Sequence, residues 1–515
     1  MNADRRRWFP SSPPRAAGRF LATLAVVLAL GPIVNRAAVN RAVAQEQVAA
    51  EKSTESPRIG LADVDITPPQ GYPMAGYYHE RLAMGRRDPL KAKAIVFRGS
   101  STSAAWVACD LIGIARDLCL AVRREASLRT GIPAEQIVIT GTHTHTAPDY
   151  TRELYDHLGG RPAPANRPAY APRLIQRLVD VIVAANDRAA PAVLDAGVAI
   201  QTTPVSFNRR FLMQDGSVKT WQRLDAPGVL RAAGPIDPQI GLVAVRSLDR
   251  RQTLGVLSNF ALHLDTVGGQ MWSGDYPHVI ERGLRQKYGE SLVSLFGTGT
   301  CGDINHSDPV AKERLKMEAI GESLAATILP ALEQLEPVAS PSLQVRSGVV
   351  RLPLQEVADA QLERARQLLP AAAAGQKVDF FDQVSAYKAV VIDHFRNQPA
   401  KIKSPDYIGW GLSNSWGGVG GELPVEVTTI ALGRDVGLVF LPGEVFVELG
   451  LAIKQASPFR TTLVVELANC VETIYIPTRA AYAQGSYEVT NSTVQPGSGE
   501  MLVEESVRQL RSVRE

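Results

Sequence analysis

The chain has eight histidines, and two of them, His143 and His145, stand two residues apart in the run Thr-His-Thr-His-Thr at the end of a predicted strand. In an extended strand, side chains two residues apart face the same side, so both imidazoles would point to one place. Paired imidazoles can share a metal, or one can bind it while the other orients a substrate or a water molecule. Taken alone, the motif also fits two surface or hydrogen-bonded histidines.

Two more polar residues follow predicted strands. His263 ends the strand-like run 255–262, and Glu444 comes after the apolar strand 437–441 and a Pro-Gly turn. Two imidazoles and a carboxylate suit Zn²⁺, whose catalytic sites keep a position for water and lower the pKa of that water to about 7. Each residue also has a plainer interpretation: His263 as a core histidine, and Glu444 as an acid that complements the dipole at a helix N-terminus.

A loop of small residues, 297–306, follows another buried strand and reads Gly-Thr-Gly-Thr-Cys-Gly-Asp-Ile-Asn-His. Such a loop lets the backbone approach a substrate and could aim N–H groups at a developing oxyanion. It lacks the G-x-S-x-G elbow and the phosphate-cradling G-x-x-x-x-G-K-[ST] pattern. The plainer alternative is a tight turn.

The elements that must position these residues alternate between strand and helix. Apolar runs predict strands, and amphipathic periodicity predicts helices. The predicted strands are 59–66, 92–97, 104–110, 136–139, 242–246, 253–263, 292–296, 342–352, 425–432, 436–441 and 462–467, and the predicted helices are 116–130, 173–186, 276–288, 311–335, 356–369 and 444–455. This order predicts a mixed α/β fold with a β-sheet core flanked by helices and polar loops at the strand ends. We interpret about 355–400 as an inserted helical segment.

Composition and charge exclude several classes of protein. The 515 residues are 45% hydrophobic and 21% charged, which is typical of a globular protein and excludes disordered and fibrous classes. The net charge of +3 hides an asymmetry: the first 44 residues carry seven Arg and one Asp, a net of +6, which leaves −3 for the rest. The charge therefore argues against nucleic acid, or an anionic membrane, as the main partner.

The N-terminus has the pattern of an export signal. Arg5, Arg6 and Arg7 form a positive segment before the apolar run 20–30, and Ala42-Val43-Ala44 is a small-residue cleavage pattern. We therefore expect a signal peptide over 1–44, cleaved near Ala44, a flexible tether over 45–57 and one domain over 58–515 in the periplasm or outside the cell. Arg6 and Arg7 fit either a twin-arginine signal or a general basic segment, and a retained anchor is the alternative to cleavage.

The four cysteines lack the spacing of a zinc framework. Cys109 ends an apolar run, where a small buried side chain is the plainer role. After export one disulfide could form, and its pairing stays open.

Several segments together resemble the neutral/alkaline (non-lysosomal) ceramidase family, zinc amidohydrolases that split the amide of N-acylsphingosine. The resemblance covers about 58–490, except the stretch near 355–400. It rests on Gly60-Leu61-Ala62-Asp63-Val64-Asp65-Ile66-Thr67-Pro68, Gly141-Thr142-His143-Thr144-His145-Thr146-Ala147-Pro148, Asn208-Arg209, Ile236-Asp237-Pro238-Gln239, Ser273-Gly274-Asp275, Leu441-Pro442-Gly443-Glu444 and the Tyr-rich tail. It implies a ceramidase-type catalytic domain. Because the sequence ends at Glu515, we expect no C-terminal β-sandwich of the kind many ceramidases carry.

The resemblance implies a zinc site made of His143, His263, Glu444 and Tyr475. Tyr475 is chosen because it lies twelve residues before Tyr487, the separation of the ligand and substrate-facing tyrosines in the family.

The resemblance also places catalytic groups near the substrate. His145 would transfer a proton, and Arg209 or Tyr487 would polarise the carbonyl while zinc activates the attacking water.

One residue departs from the family pattern. Asn305 stands where the family has an essential serine, and an amide cannot act as a nucleophile, although it can donate a hydrogen bond.

The sequence thus predicts an exported zinc-dependent amidohydrolase that acts on ceramide or a related small-molecule or lipid N-acyl substrate, with peripheral contact to membrane lipid. Its oligomeric state stays open. The alternatives are a metal-retaining binding protein without turnover, or a hydrolase of another amide or ester.

Overall fold

The computed structural model describes residues 57–158, 169–339, 342–397 and 412–514. The expected signal peptide, and nearly all of the expected tether, lie outside these ranges. Chain contacts define a compact unit over Glu55–Glu515. Within the described ranges, the helices are all too short or too polar to cross a membrane.

Three sheets make up most of the β-structure. In order across each sheet, the first contains Ile137–Gly141, Ser103–Cys109, Lys91–Arg98, Arg58–Asp65 and Ala190–Pro191; the second Val293–Thr298, Thr253–Phe260, Gln239–Arg246, Val193–Ile200 and Glu336–Pro337; the third Leu343–Pro353, Glu422–Leu432, Val436–Phe440 and Thr461–Val465. Most neighbours are antiparallel, but each sheet has one parallel pair at an edge. The smaller sheets are Val218–Thr220 with Arg210–Met213 and Val229–Ala232, Phe207–Asn208 with Ile304–Asn305, Met271–Trp272 with Gly85–Arg86, Pro73–Met74 with Arg81–Leu82, and Glu444–Val445 with Tyr475–Ile476.

Helices surround the sheets. The α-helices are Arg116–Thr130, Thr151–Leu158, Ala171–Asp187, Tyr276–Tyr288, Met317–Ala331, Asp359–Ala373, Phe380–Asn397, Val447–Ala456, Arg479–Gln484, Tyr487–Thr490 and Ser498–Arg514, with 3₁₀ turns at Ala134–Gln136 and Asn414–Trp416. The predicted mixed α/β fold is confirmed.

Several helix boundaries differ from the prediction; for example, the helix predicted over 356–369 spans Asp359–Ala373. The helix predicted from residue 311 begins at Met317, and the helix predicted from Glu444 begins at Val447. Glu444 instead belongs to a two-residue strand, so it does not lie in the first turn of that helix and the helix-dipole interpretation of Glu444 is wrong.

The three main sheets share one apolar core. Trp106 of the first sheet, Leu257 of the second and Leu438 of the third are all fully buried in the same cluster. The rings of Trp106 and Phe440 meet edge to face with centroids 5.4 Å apart, a favoured geometry for an aromatic pair. Strands that are buried on both faces read as continuous apolar runs, which is why these strands were recognisable in the sequence.

The carboxyl ends of the parallel strand pairs meet at one place. Thr298 Oγ1 donates to Thr142 O at 2.8 Å, the Glu466 amide donates to Thr298 O at 2.9 Å, and the Gly141 amide donates to Leu467 O at 3.2 Å. Each bond joins the end of a strand in one sheet to the end of a strand in another. The loops that leave these strands are therefore brought together, and they carry the histidines.

Candidate active site

Three histidine rings converge where these loops meet. His143 Nε2 lies 3.0 Å from His263 Nε2 and 3.4 Å from His145 Nε2, and the three rings form a cluster that could hold a metal ion. His143 and His263 come from different sheets and are 120 residues apart in sequence.

The expected reason for the closeness of His143 and His145 is wrong. The strand ends at Gly141, and His143 adopts φ 74°, so the pair does not lie in an extended strand. A left-handed turn brings the two rings together, with centroids 4.9 Å apart.

The hydrogen bonds of the rings fix which nitrogen carries the proton. The Nδ1 atoms of His143, His145 and His263 lie 2.7, 3.0 and 3.0 Å from the carbonyl oxygens of Ile112, Gly76 and Cys301. Because a carbonyl oxygen only accepts, each Nδ1 must donate, and each Nε2 then presents a lone pair. Metal-bound histidines usually donate their other ring N–H in this way.

Glu444 completes the cluster. Its Oε2 lies 3.3 Å from His143 Nε2 and 3.4 Å from His263 Nε2, yet this buried oxygen has no hydrogen-bond partner, because both nitrogens face it with lone pairs. Four electron-rich atoms so close together repel one another unless a cation lies among them. Bonds of about 2.0–2.2 Å to a tetrahedral zinc would separate neighbouring ligand atoms by about 3.3 Å, so the residues fit a zinc ion.

The short strand pair sets Glu444 beside Tyr475. The two residues are direct partners in the parallel register. The small-residue loop makes this packing possible, because a Cβ at Gly302 would lie 2.6 Å from Glu444 O. Tyr475, which the family resemblance makes a ligand, therefore lies beside Glu444 in the sheet. His145 Nε2 lies 3.4 Å from His143 Nε2, close enough for both nitrogens to bind one metal ion.

Arg209 is held next to the cluster by a buried ion pair. Its Nε donates to Glu488 Oε1 at 2.8 Å, one terminal nitrogen donates to Tyr475 Oη at 3.1 Å and to Gly302 O at 2.7 Å, and the other lies 3.4 Å from His263 Nε2. Glu488 is fully buried, and it was not singled out in the sequence. Glu488 belongs to no motif in the sequence. Its role became visible only because the fold places it beside Arg209.

Burial and neighbouring charges set the protonation of the site. Burial and the neighbouring His143 lower the pKa of His145 to about 3; burial and the Arg209 cation lower the pKa of His263. Burial raises the pKa of Glu444, but the positive charge that His143 and His263 carry when protonated outweighs burial and holds that pKa well below its usual value. Burial and, to a smaller extent, the negative charge of Glu444 raise the pKa of Tyr487 to about 12. At neutral pH the site thus combines neutral imidazoles at His145 and His263, a carboxylate at Glu444 and a protonated phenol at Tyr487.

The cluster opens into a cavity of about 450 Å³. His143, His145, Glu444, Tyr475 and Tyr487 line it. Its other lining residues include side chains that sequence reasoning missed, namely Met74, Tyr77, Tyr78, Ile112, Leu369, Ala372, Ala373, Tyr387 and Asn491. Residues 369–387 belong to the predicted helical insertion, which forms two helices there, so this segment supplies one wall of the cavity.

Asn305 is not among the residues that line the cavity. Its side chain is buried, and Oδ1 accepts a hydrogen bond from the Ser307 amide at 3.1 Å. The role of Asn305 toward a substrate stays a prediction.

The loop amides expected to face an oxyanion are already engaged. Those of Gly299, Gly302 and Ile304 donate to Phe260 O, Val445 O and Cys301 O at 2.8–2.9 Å. That expectation is therefore wrong for these three amides.

All four cysteines are free thiols in buried positions. The structure therefore contains no disulfide within its described ranges. Cys301 lies against the site, where its Sγ donates to Glu466 Oε1 at 3.1 Å.

Comparison with known proteins identifies the fold of this chain. No model of a protein family and no curated protein matches the sequence. The crystal structure of neutral ceramidase from Pseudomonas aeruginosa aligns with a TM-score of 0.64 and 18% sequence identity, over 89% of this chain and 75% of that chain. A ceramidase complexed with C2 aligns with a TM-score of 0.63 and 18% identity, over the same shares of the two chains. The protein thus has a ceramidase-type fold, as its motifs predicted.

Proposed function

We propose that this protein is a zinc-dependent hydrolase that cleaves the amide bond of an N-acyl substrate. One observation carries the proposal: three imidazole lone pairs and an unpartnered carboxylate oxygen meet beside a cavity large enough for a small molecule. The fold shared with two ceramidase structures supports an amide as the scissile group.

His143, His263 and Glu444 would hold the metal, with His145 or Tyr475 as the further ligand. Bound zinc supplies Lewis-acid activation of water and of the substrate carbonyl. The carbonyl oxygens of Ile112 and Cys301 keep the His143 and His263 rings in the ligating tautomer.

The remaining residues act on protons and charge. His145 is neutral at pH 7 because burial and His143 lower its pKa to about 3. Its Nδ1 is tied to Gly76 O, so Nε2 is the atom that accepts a proton. Tyr487 keeps its proton at neutral pH and can donate to an acyl oxygen. Arg209, fixed by Glu488, supplies a positive charge that favours negative charge on that oxygen.

The apolar wall favours a lipid N-acyl substrate. Met74, Ile112, Leu369, Ala372 and Ala373 line the cavity, and aliphatic side chains of this kind suit an acyl chain.

Exposed aromatic rings beside the cavity support the expected contact with membrane lipid. Trp221 and Phe380 are both about 40% exposed, and their ring centroids lie 4.7 and 5.8 Å from that of Tyr487, which lines the cavity. Aromatic rings of this kind favour the membrane interface. Export, which rests on the pattern over 1–44, completes the proposal.

Zinc-loaded protein assayed on a panel of ceramides, other N-acyl amides and esters tests the proposal. We expect amide hydrolysis by the wild type and none by Glu444→Gln, with Glu505→Gln as a control that alters a glutamate on the C-terminal helix and keeps activity. Tight binding of these compounds by the zinc-loaded wild type, without turnover of any, would instead favour the binding protein.

A further inference from the structure

The turn Ser273-Gly274-Asp275 is a sequence motif to which the proposed function gives no role. It joins the short strand Met271–Trp272 to the helix Tyr276–Tyr288. Ser273 and Asp275 are fully buried, and neither lines the cavity. A buried carboxylate costs free energy unless hydrogen bonds replace its lost hydration, so the partners of Asp275 indicate why the fold keeps it there.

Asp275 binds the loop that follows His263. Its Oδ2 accepts from the amides of Thr266 and Val267 at 3.0 and 3.3 Å. Its Oδ1 accepts from Thr266 Oγ1 and from the amide of Tyr276. The backbone of Asp275 adopts φ 58°, a strained conformation that persists only where the surrounding structure fixes it. One carboxylate thus holds the chain three residues beyond His263.

Ser273 binds the segment that carries His145. Its carbonyl oxygen accepts from Thr144 Oγ1 at 2.7 Å and from Thr146 Oγ1 at 3.0 Å, and these two threonines stand on either side of His145. The amide of His145 donates to Leu264 O at 3.0 Å, which joins the same segment to the residue after His263. The 273–275 turn therefore contacts both of the segments that bring histidines to the cluster.

Two further carboxylates hold the turn itself. Asp88 accepts from Ser273 Oγ and from the amide of Gly274, both at 2.6 Å. A Cβ at Gly274 would lie 3.0 Å from Asp110 Oδ2, so only glycine fits there without a shift. Asp110 Oδ1 in turn accepts from Thr142 Oγ1 at 3.2 Å, next to His143. The turn is thus wedged between groups that support the histidine motif.

We propose that the 273–275 turn sets the spacing between His145 and His263, and that Asp275 is its positioning residue. The inference rests on the proposed function, because it concerns the zinc affinity of the same site. Without metal, the converging imidazole lone pairs repel one another, so the two segments need an outside constraint to stay at ligand spacing. A preassembled site binds zinc more tightly, because binding does not have to order the ligands.

The test compares the zinc dissociation constants of the wild type and Asp275→Ala, measured by chelator competition at a temperature at which calorimetry shows both to be folded. Alanine removes every acceptor that holds the loop after His263. We expect the dissociation constant to rise about 10-fold, the lower end of the range for groups that support metal ligands. An aspartate that only capped the helix Tyr276–Tyr288 would lower Tm and leave zinc affinity unchanged.

Asp117→Ala is the matched control. Asp117 is also a buried aspartate whose carboxylate accepts from two loop amides, those of Asn414 and Ser415, at 2.7 and 3.2 Å, and it does not line the cavity. The variant should lose Tm but keep its zinc dissociation constant within about 2-fold of the wild type. Thr144→Val keeps the side-chain shape and removes one donor to Ser273 O, so it should raise the dissociation constant about 2- to 13-fold. It decides the question if Asp275→Ala does not fold.

Wild-type zinc affinity in folded Asp275→Ala and in Thr144→Val would overturn the inference, and so would an equal loss of affinity in Asp117→Ala. Zinc affinity also separates this inference from the proposed function. If the wild type binds zinc but hydrolyses no amide, the proposed function fails. Weaker zinc binding by Asp275→Ala than by Asp117→Ala would still support the role of the turn, and equal binding by the two variants would contradict it.

Discussion

The proposed zinc cluster predicts how much zinc should raise the thermal stability of the wild type and of variants that lack one ligand. Replacing His263 by alanine removes one ring nitrogen from a group in which His143 Nε2 and Glu444 Oε2 lie 3.0–3.4 Å from their neighbours. A weakening of zinc binding by at least about 100-fold is expected, because even changes to groups that merely support ligands cost about 10- to 100-fold.

The magnitude follows from ligand linkage. Zinc at about 100 times its dissociation constant stabilises the wild type by about 2.7 kcal/mol, whereas after a 100-fold weakening the same zinc contributes only about 0.4 kcal/mol. The zinc-induced increase in Tm should therefore nearly vanish in His263→Ala, and for the same reason in His143→Ala.

The assay is differential scanning calorimetry of each protein with and without zinc, together with elemental analysis. Each variant is compared with and without zinc, because His263→Ala also destabilises the zinc-free protein by leaving Cys301 O without its hydrogen-bond donor. The comparison cancels that loss. His394→Ala is the control, since His394 is a buried histidine in the helix Phe380–Asn397 whose Nε2 donates to Ser413 O at 2.9 Å. It should keep the full response to zinc. An unchanged zinc response in both cluster variants would refute the reasoning from converging lone pairs.

Four further predictions concern separate features. His145→Ala should lose zinc if His145 is a ligand, whereas retained zinc with lost activity would assign it to proton transfer; elemental analysis and kcat distinguish the two. Asn305→Ala should reduce activity by only about 2- to 13-fold, the effect of one hydrogen bond, and Asn305→Ser should keep or raise ceramide hydrolysis; a silent wild type that gains activity from the serine would show that a nucleophile was missing. Burial raises the pKa of Glu472 from its usual value of 4.5 to about 8, so between these values the folded state binds a proton that the unfolded state has lost. The free energy of unfolding should therefore fall as the pH rises from about 5 to 8, by up to about 1.4 kcal/mol per pH unit. Urea titrations of the wild type and Glu472→Gln should differ in this slope, and parallel slopes would contradict the raised pKa. N-terminal sequencing of exported protein should begin at Gln45, and an intact Met1 on membranes would favour an anchor.

The fold class could be predicted because its signal is local. A strand that is buried on both faces must be apolar along its length, as 104–110 is, and an amphipathic helix repeats its apolar residues with a fixed period. Residues 116–130 and 276–288 show that period, and the structure forms helices with those bounds. The boundaries that failed, at 311 and 444, lie where a loop or a short strand is chosen by contacts with distant segments.

The candidate site was predictable only as a set of residues at strand ends. Local sequence placed His143, His263 and Glu444 after strands, and the resemblance added Tyr475, Arg209 and Tyr487. Their convergence depends on the sheets, because the strands that carry them are separated by long stretches of chain and meet only through tertiary contacts.

The sequence by itself determined the sheet-forming segments, the pair of histidines in one short motif and the small residues around Gly302. Only the tertiary structure decided that His143 reaches His145 through a left-handed turn, that Asn305 lies away from the cavity lining, and that Asn491 and the helices over 359–397 take part in the site. The physical reason is that hydrophobic periodicity depends on neighbours in the chain, whereas the direction of a buried polar side chain depends on which distant donor or acceptor it meets after folding.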